Sequence, residues 1–169
     1  MTFDWQREDL KGRFFDATLK PMEATGEVVL RVRSQVPDMH TKRVSLTKAK
    51  IWDDANNPPW QKPHLHRGLN EGYLVVKGWM IAVWRTPMGG YRVKLLTSPS
   101  RVDNEDKIIF PPNIAHNVLL GPEAEIVVWQ TGEPVLNHDM DDPQDRFPCP
   151  SFDYYYDGLT HDLQTLIGQ

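Results

Sequence analysis

Two histidines and a carboxylate lie close together between residues 62 and 73, just before an apolar run. His64 and His66 are two residues apart, so on an extended backbone both imidazole rings leave the same face. Residues 67–70 give the chain room to bend before Glu71 opens the apolar run. The carboxylate of Glu71 can therefore return to the two histidines, and the three side chains can share one ion.

A fourth candidate ligand, His116, begins a later apolar strand, directly after the turn residues 111–114. Three imidazoles and one carboxylate suit a divalent transition metal, and the ligand set leaves iron, manganese, nickel and zinc all open. Four protein ligands on an ion that accepts five or six leave positions for water or substrate, as in catalytic sites. One alternative is that the histidines are loop or core residues without metal, and another is a relict site whose pocket binds a ligand without an ion.

The spacing of these residues resembles the two motifs of the cupin superfamily, over roughly residues 58 to 120. The first motif, G-x5-H-x-H-x(3,4)-E-x6-G, is matched by His64, His66, Glu71 and Gly78, and the second, G-x5-P-x-G-x2-H-x3-N, by Pro111 and His116. The chain departs from the motifs at Pro58, Glu105, Asn113 and Leu120. None of these departures removes a ligand, and Asn is the non-glycine residue best able to replace glycine in a left-handed turn.

The resemblance, in particular to single-domain RmlC-like metal-binding cupins, carries expectations about fold and activity. It implies an all-β protein, a double-stranded β-helix or jelly-roll barrel, with a divalent metal on His64, His66, Glu71 and His116. It makes a small-molecule substrate such as a sugar or sugar nucleotide reasonable. It also makes a homodimer the expected assembly.

Independently of the motifs, short apolar runs separated by turn residues recur along the middle of the chain. This pattern favours an antiparallel sandwich or barrel. It predicts a hairpin made of residues 73–76 and 79–84 around the turn Lys77-Gly78. It also predicts a strand over residues 43–52 whose apolar phase slips after Leu46, as a β-bulge would cause.

The distribution of turn residues and prolines divides the chain into three parts. We expect an N-terminal arm at residues 1–25, a cupin barrel at residues 26–132 and a C-terminal wrapping tail at residues 133–169. The tail has prolines among acidic residues, which central strands exclude. A short helix is predicted in the arm after Asp4, and another in the tail after Thr160.

Composition and charge indicate an ordinary soluble domain. The 169 residues are 40% hydrophobic and 25% charged, and the net charge of −4 lacks the basic excess that nucleic acids require. No apolar run is long enough to span a bilayer, and the polar N-terminus does not resemble a signal peptide. We therefore expect a cytoplasmic protein with no nucleic-acid or membrane partner, and the single Cys149 agrees with a reducing compartment.

Several side chains near the ligands are candidates to act on a substrate. Tyr73 lies two residues after Glu71 on the same strand face, so its hydroxyl can reach the pocket as an acid or base, or can simply pack there. Trp60, beside the ligand stretch, is a candidate substrate contact. Candidates to attract an anionic substrate are Lys48, Lys50 and Arg85.

These features support three functional hypotheses. The leading one is a metal-dependent enzyme of the isomerase, epimerase or lyase type, in which Lewis-acid chemistry is combined with proton transfer, by Tyr73 for example. The second is an iron-dependent dioxygenase on the same ligands. The third is a non-catalytic module that binds a small ligand or senses metal. The ligand set alone does not separate the first two, because one fold hosts many chemistries.

Overall fold

The computed structural model describes residues 15–22, 27–34, 40–54, 58–98, 105–133 and 146–149. All regular structure in these residues is β-strand. The strands are β1 (Phe15–Met22), β2 (Glu27–Ser34), β3 (Thr41–Lys48), β4 (His64–His66), β5 (Leu69–Arg85), β6 (Tyr91–Ser98), β7 (Lys107–Phe110), β8 (His116–Leu120), β9 (Glu125–Gly132) and β10 (Arg146–Pro148). Across these described ranges, no helix has the length and apolar character to cross a membrane.

The strands form two antiparallel sheets that share β5. The first sheet has the order β1-β2-β3-β9-β5-β7. The second has the order β6-β5-β8-β4-β10. Most neighbouring strands are distant in sequence, as in a jelly roll rather than a simple meander. The expected all-β jelly-roll fold is therefore confirmed.

The predicted hairpin at Lys77-Gly78 is wrong, because β5 continues through this point. Gly78 has a φ of 81°, and the register against β9 shifts between Val75 and Lys77. Residues before Gly78 pair with β9 and β7, and residues after it pair with β6 and β8. The glycine therefore bends the strand from one sheet into the other without reversing it.

The chain reverses instead after Arg85, in the turn at residues 86–90. Thr86 and Gly90 close this turn through a bond from the Thr86 N–H to the Gly90 carbonyl, 2.7 Å long. Gly89 supplies the positive φ, 85°, that the turn requires. The hairpin is thus formed by β5 and β6.

The β-bulge predicted after Leu46 in β3 is also wrong. The register against β9 is continuous from Arg43 to Lys48, and the irregularity lies earlier, between Thr41 and Arg43. Alternation places Arg43 and two small polar residues on the buried face, whereas Val44 and Leu46 are 36% and 39% exposed. The polar residues of this strand therefore face the interior.

Two apolar clusters pack on opposite faces of the second sheet. The inner cluster fills the space between the two sheets and includes Tyr73, Met80, Phe110 and Val118. The outer cluster consists of Ile81, Val83, Ala115 and Leu119, with Trp52, Trp60 and Trp79 packed against it. Trp60, a candidate substrate contact, therefore belongs to the layer outside the second sheet.

Both expected extensions contribute a strand. β1, in the predicted N-terminal arm, pairs with β2 along its whole length, and β10, in the predicted tail, pairs with β4. The helices predicted after Asp4 and Thr160 lie outside the described residues.

Candidate metal centre

The four candidate ligands come from three strands and meet between the two sheets. His64 and His66 alternate on β4 and face inward with one residue between them, and His116 of β8 pairs directly with His64. Glu71 reaches the same point from β5, where it belongs to the first sheet. One ligand atom from each residue lies within 4.8 Å of every other, and all four side chains are buried. The structure thus brings together all four residues that the motif spacing selected.

The three imidazole rings converge on a single carboxylate oxygen. Oε2 of Glu71 lies 3.2 Å from Nε2 of His64, 3.2 Å from Nε2 of His66 and 2.9 Å from Nε2 of His116. The convergence of all three Nε2 atoms is the arrangement that a shared ion requires.

Backbone carbonyls fix the orientation of two of the rings. Nδ1 of His64 is 3.0 Å from the Lys62 carbonyl oxygen, and Nδ1 of His116 is 2.9 Å from that of Ile114. A carbonyl only accepts, so each Nδ1 carries a proton, and Nε2 is the ring atom that can bind an ion beside Glu71. The donor set therefore fits a divalent metal.

The ionisation of Glu71 agrees with this arrangement. Burial raises the pKa of the Glu71 carboxyl, but its contacts with the rings of His116, His64 and His66 outweigh burial and hold that pKa well below its usual range. The carboxylate is consequently available as an anionic ligand at neutral pH.

The turn before β8 places His116. Asn113 has a φ of 66°, the left-handed conformation expected where the motif has glycine. Its N–H donates to the carbonyl of His66 over 2.6 Å, which ties the turn to β4. Phe110 stacks on the His116 ring with centroids 4.2 Å apart and planes 10° apart. Backbone and aromatic contacts therefore hold this imidazole in place.

Tyr73, the residue singled out as a proton donor or acceptor, lies beside the centre. It is buried one alternation after Glu71, and its hydroxyl donates to Glu71 Oε2 over 2.7 Å. Its ring also meets Phe110 edge-on, with centroids 5.9 Å apart, so it takes part in packing as well.

Two further polar residues of the centre were missed in the sequence. The Gln130 side chain donates to Glu71 Oε1 over 2.9 Å, and Nη2 of Arg43 lies 3.6 Å from the same oxygen. The one local signal for Gln130 is that it falls in phase with the buried Ile126 and Val128. Arg43 is in phase with polar residues, which normally indicates a solvated face.

The basic residues that were candidates to attract an anion lie elsewhere. Lys48, Lys50 and Arg85 are exposed, Lys50 forms an ion pair with Asp53 at 2.6 Å, and Arg85 lies over the ring of Tyr91. Among the lysines and arginines whose side chains the structure describes, Arg43 is the buried one.

Comparisons with known proteins identify the fold. No protein-family model and no curated protein matches the sequence. Among solved structures, the chain is similar to the capsular polysaccharide assembling protein CapF of Staphylococcus aureus, with a TM-score of 0.55 and 16% identity over 80% of this chain and 35% of CapF. It is also similar to a mutant of oxalate decarboxylase OxdC of Bacillus subtilis, with a TM-score of 0.57 and 11% identity over 80% of this chain and 32% of that one.

These similarities and the strand topology define a cupin fold. The chain spans about a third of the length of the solved proteins that it matches. Another study of the Bacillus enzyme concerns its Mn(II) centres, and that structure has a TM-score of 0.55 with this chain. The chain is thus a cupin-fold protein with a candidate divalent-metal centre at His64, His66, Glu71 and His116.

Proposed function

We propose that this protein is a metal-dependent enzyme that acts on a small polar substrate by Lewis-acid and proton-transfer chemistry, as an isomerase, epimerase or lyase. The observation that carries the proposal is the hydroxyl of Tyr73, which lies 2.7 Å from Glu71 Oε2 inside the cluster of metal donors. A proton donor buried next to metal ligands is the pairing that such reactions need.

Different residues of the centre would bind the metal, orient the ligands and transfer a proton. A divalent metal bound by the four ligands would polarise a carbonyl or hydroxyl oxygen of the substrate. His64 and His116 are held in the correct tautomer by backbone carbonyls. The Tyr73 hydroxyl carries a proton that it can donate to the substrate. The phenolate that results can accept a proton from the substrate. The buried position of all four ligands keeps bulk water away from this exchange.

The names of the similar structures agree with a small polar substrate. One acts in the assembly of a capsular polysaccharide and the other is a decarboxylase of oxalate. Sugars and small carboxylates both present the oxygen atoms that a metal of this ligand set can polarise.

Elemental analysis of the protein, purified without chelator or His-tag and reconstituted with each candidate metal, tests the proposal. We expect stoichiometric manganese, nickel, zinc or iron in the wild type, and its loss in His64→Ala and Glu71→Ala, with the fold retained. His40→Ala is the matched control, because His40 is exposed and outside the cluster. Turnover of candidate substrates, followed with and without oxygen, identifies the class of reaction.

Each outcome is decisive. Metal with oxygen-independent turnover supports the isomerase, epimerase or lyase. Iron whose turnover consumes oxygen contradicts it in favour of a dioxygenase. Absence of bound metal after reconstitution contradicts both and leaves a module that binds a small ligand.

A further inference from the structure

We infer that the inward face of β3 is an oxyanion subsite, in which Arg43 and Ser45 bind a carboxylate or phosphate group of the substrate. The inference deepens the proposed function and rests on its metal centre. Its starting point is the reversed polarity of β3, where the polar residues are inside and the apolar residues are outside.

Strand pairing places Arg43 at the metal centre. Arg43 pairs with Gln130 of β9, and Gln130 pairs with Glu71 of β5, so the three side chains form one row across the inner face of the first sheet. Nη2 of Arg43 lies 3.6 Å from Glu71 Oε1, and the whole residue is 8% exposed. The guanidinium is therefore a fixed positive charge beside the four ligands.

The charge of the interior calls for an anion. Apart from the histidines, Arg43 and Glu71 are the buried charged residues among those whose side chains the structure describes, and their charges cancel. A divalent ion on the neutral imidazoles then leaves an excess of two positive charges. Such an excess is costly away from water unless opposite charge compensates for it. An anionic substrate supplies that compensation.

Ser45 provides a second donor on the same face. It lies in the next row, opposite Val128, which in turn pairs with Tyr73. The residue is 3% exposed, and within the described ranges its hydroxyl has no hydrogen-bond partner. A buried hydroxyl normally has a partner, and an oxygen of a bound anion would provide it.

The geometry of the guanidinium favours an oxyanion over a halide or a neutral sugar hydroxyl. Its planar fork matches two oxygens of a carboxylate or phosphate, and hydrogen bonds between charged partners are the strong ones. Lys48, Lys50 and Arg85 lack this setting, because water screens their charges.

The test measures the affinities of three probes by calorimetry, with metal-loaded and metal-free protein. Glycolate and glycolamide have nearly the same shape but differ in charge, and inorganic phosphate separates the two kinds of oxyanion. The variants are Arg43→Gln, Arg43→Lys and Ser45→Ala, with Arg92→Gln as the matched control at an exposed arginine. Metal content and thermal stability are recorded for each variant.

We expect the wild type to prefer one oxyanion to glycolamide. Arg43→Gln should weaken binding of that anion about tenfold or more and abolish the preference, with partial recovery in Arg43→Lys. Ser45→Ala, the variant least able to disturb folding, should weaken binding about threefold or more. Arg92→Gln should match the wild type.

The outcomes separate this inference from the proposed function. If metal binds but Arg43→Gln and Ser45→Ala keep the wild-type preference, the subsite is wrong and the metal centre stands. If Arg43 has only a structural role, Arg43→Gln should alter stability or metal content and leave the ratio of glycolate to glycolamide affinity unchanged. That result also overturns the inference. If no metal binds, the proposed function fails, and anion binding by the metal-free protein that depends on Arg43 still supports the subsite.

Discussion

Three of the four candidate ligands are oriented by partners on their second polar atoms. Backbone carbonyls hold Nδ1 of His64 and of His116, while the Gln130 amide holds Oε1 of Glu71. The three Nε2 atoms converge on Oε2 of Glu71. Metal affinity should therefore depend on residues that are not themselves ligands.

Gln130→Leu tests this dependence. The substitution keeps the size of the side chain but removes the hydrogen bond to Glu71, so we expect metal affinity to fall about 10–100-fold. Competition with a chelating dye measures the affinity. Gln61→Leu, at a half-buried glutamine outside the cluster, should bind metal like the wild type. Equal affinities in the two variants would show that the bond to Glu71 has no such role.

Cys149 should react slowly with alkylating agents. Burial raises the pKa of its thiol, and the charge of Arg85 offsets this only in part, so less of the reactive thiolate is present at a given pH. We expect iodoacetamide to modify the folded protein at pH 8 more slowly than the same chain in urea. Mass spectrometry follows the modification, and equal rates would contradict the effect of burial.

The sequence predicted that the four candidate ligands meet, but it did not predict their polar neighbours. Alternation along an extended strand is a local rule, so the spacing of His64, His66 and Glu71 is informative by itself. Arg43 and Gln130 reach Glu71 because β3, β9 and β5 pair in that order and register. That pairing joins distant parts of the chain, and no short pattern encodes it.

At the scale of elements, β5 connects the chemistry to the fold. Its first part carries Glu71 and Tyr73 in the first sheet, and its second part pairs with β8, which carries His116. The bend at Gly78 decides how these two parts meet. The sequence suggested a turn there because Lys77-Gly78 interrupts an apolar run, whereas the available partner strands keep the chain extended.

Gly78→Ala should destabilise the protein. The left-handed backbone costs a non-glycine residue about 1–2 kcal/mol, and the added Cβ would lie 3.3 Å from Ala124 Cα. Gly89→Ala is the matched control, because Gly89 has a similar φ of 85° but nothing within 4 Å of the added Cβ. Urea unfolding should show a larger loss for Gly78→Ala, and equal losses would exclude a contribution from the Ala124 contact.

The polarity of β3 explains why the predicted β-bulge after Leu46 is wrong. Alternating apolar residues usually mark the buried face, and Val44 and Leu46 alternate in this way. In the structure they lie on the exposed side of the first sheet, because the side that faces the interior carries the polar residues of the site. A strand that serves a polar site reverses the usual rule.

At the scale of the whole molecule, the outer face of the first sheet is unusually apolar. We use the name outer face for the exposed positions Val28, Val44, Leu46, Val76 and Ile109. Exposed apolar patches of this kind mark interaction surfaces. They lie on β2, β3, β5 and β7 of the same sheet, opposite the candidate metal centre.

We expect this surface to join two copies of the chain in a homodimer. Leu46→Glu places a charge in the middle of the outer face, so the variant should run as a monomer in size-exclusion chromatography with light scattering. Met88→Glu is the control, since Met88 is 98% exposed in the turn between β5 and β6 and should leave assembly unchanged. A dimeric Leu46→Glu, or a monomeric wild type, would contradict the assignment.

The ligands also divide between the sheets, since Glu71 belongs to the first sheet and the three histidines to the second. A bound ion would therefore act as a cross-link, and opening either sheet at this point would require breaking a bond to the metal. At a free concentration about one hundred times its dissociation constant, the ion would add about 2.7 kcal/mol to the free energy of unfolding. Hydrogen–deuterium exchange should then slow jointly in β4, in β8 and around Glu71 when metal is added, and slowing in one sheet alone would refute the cross-link.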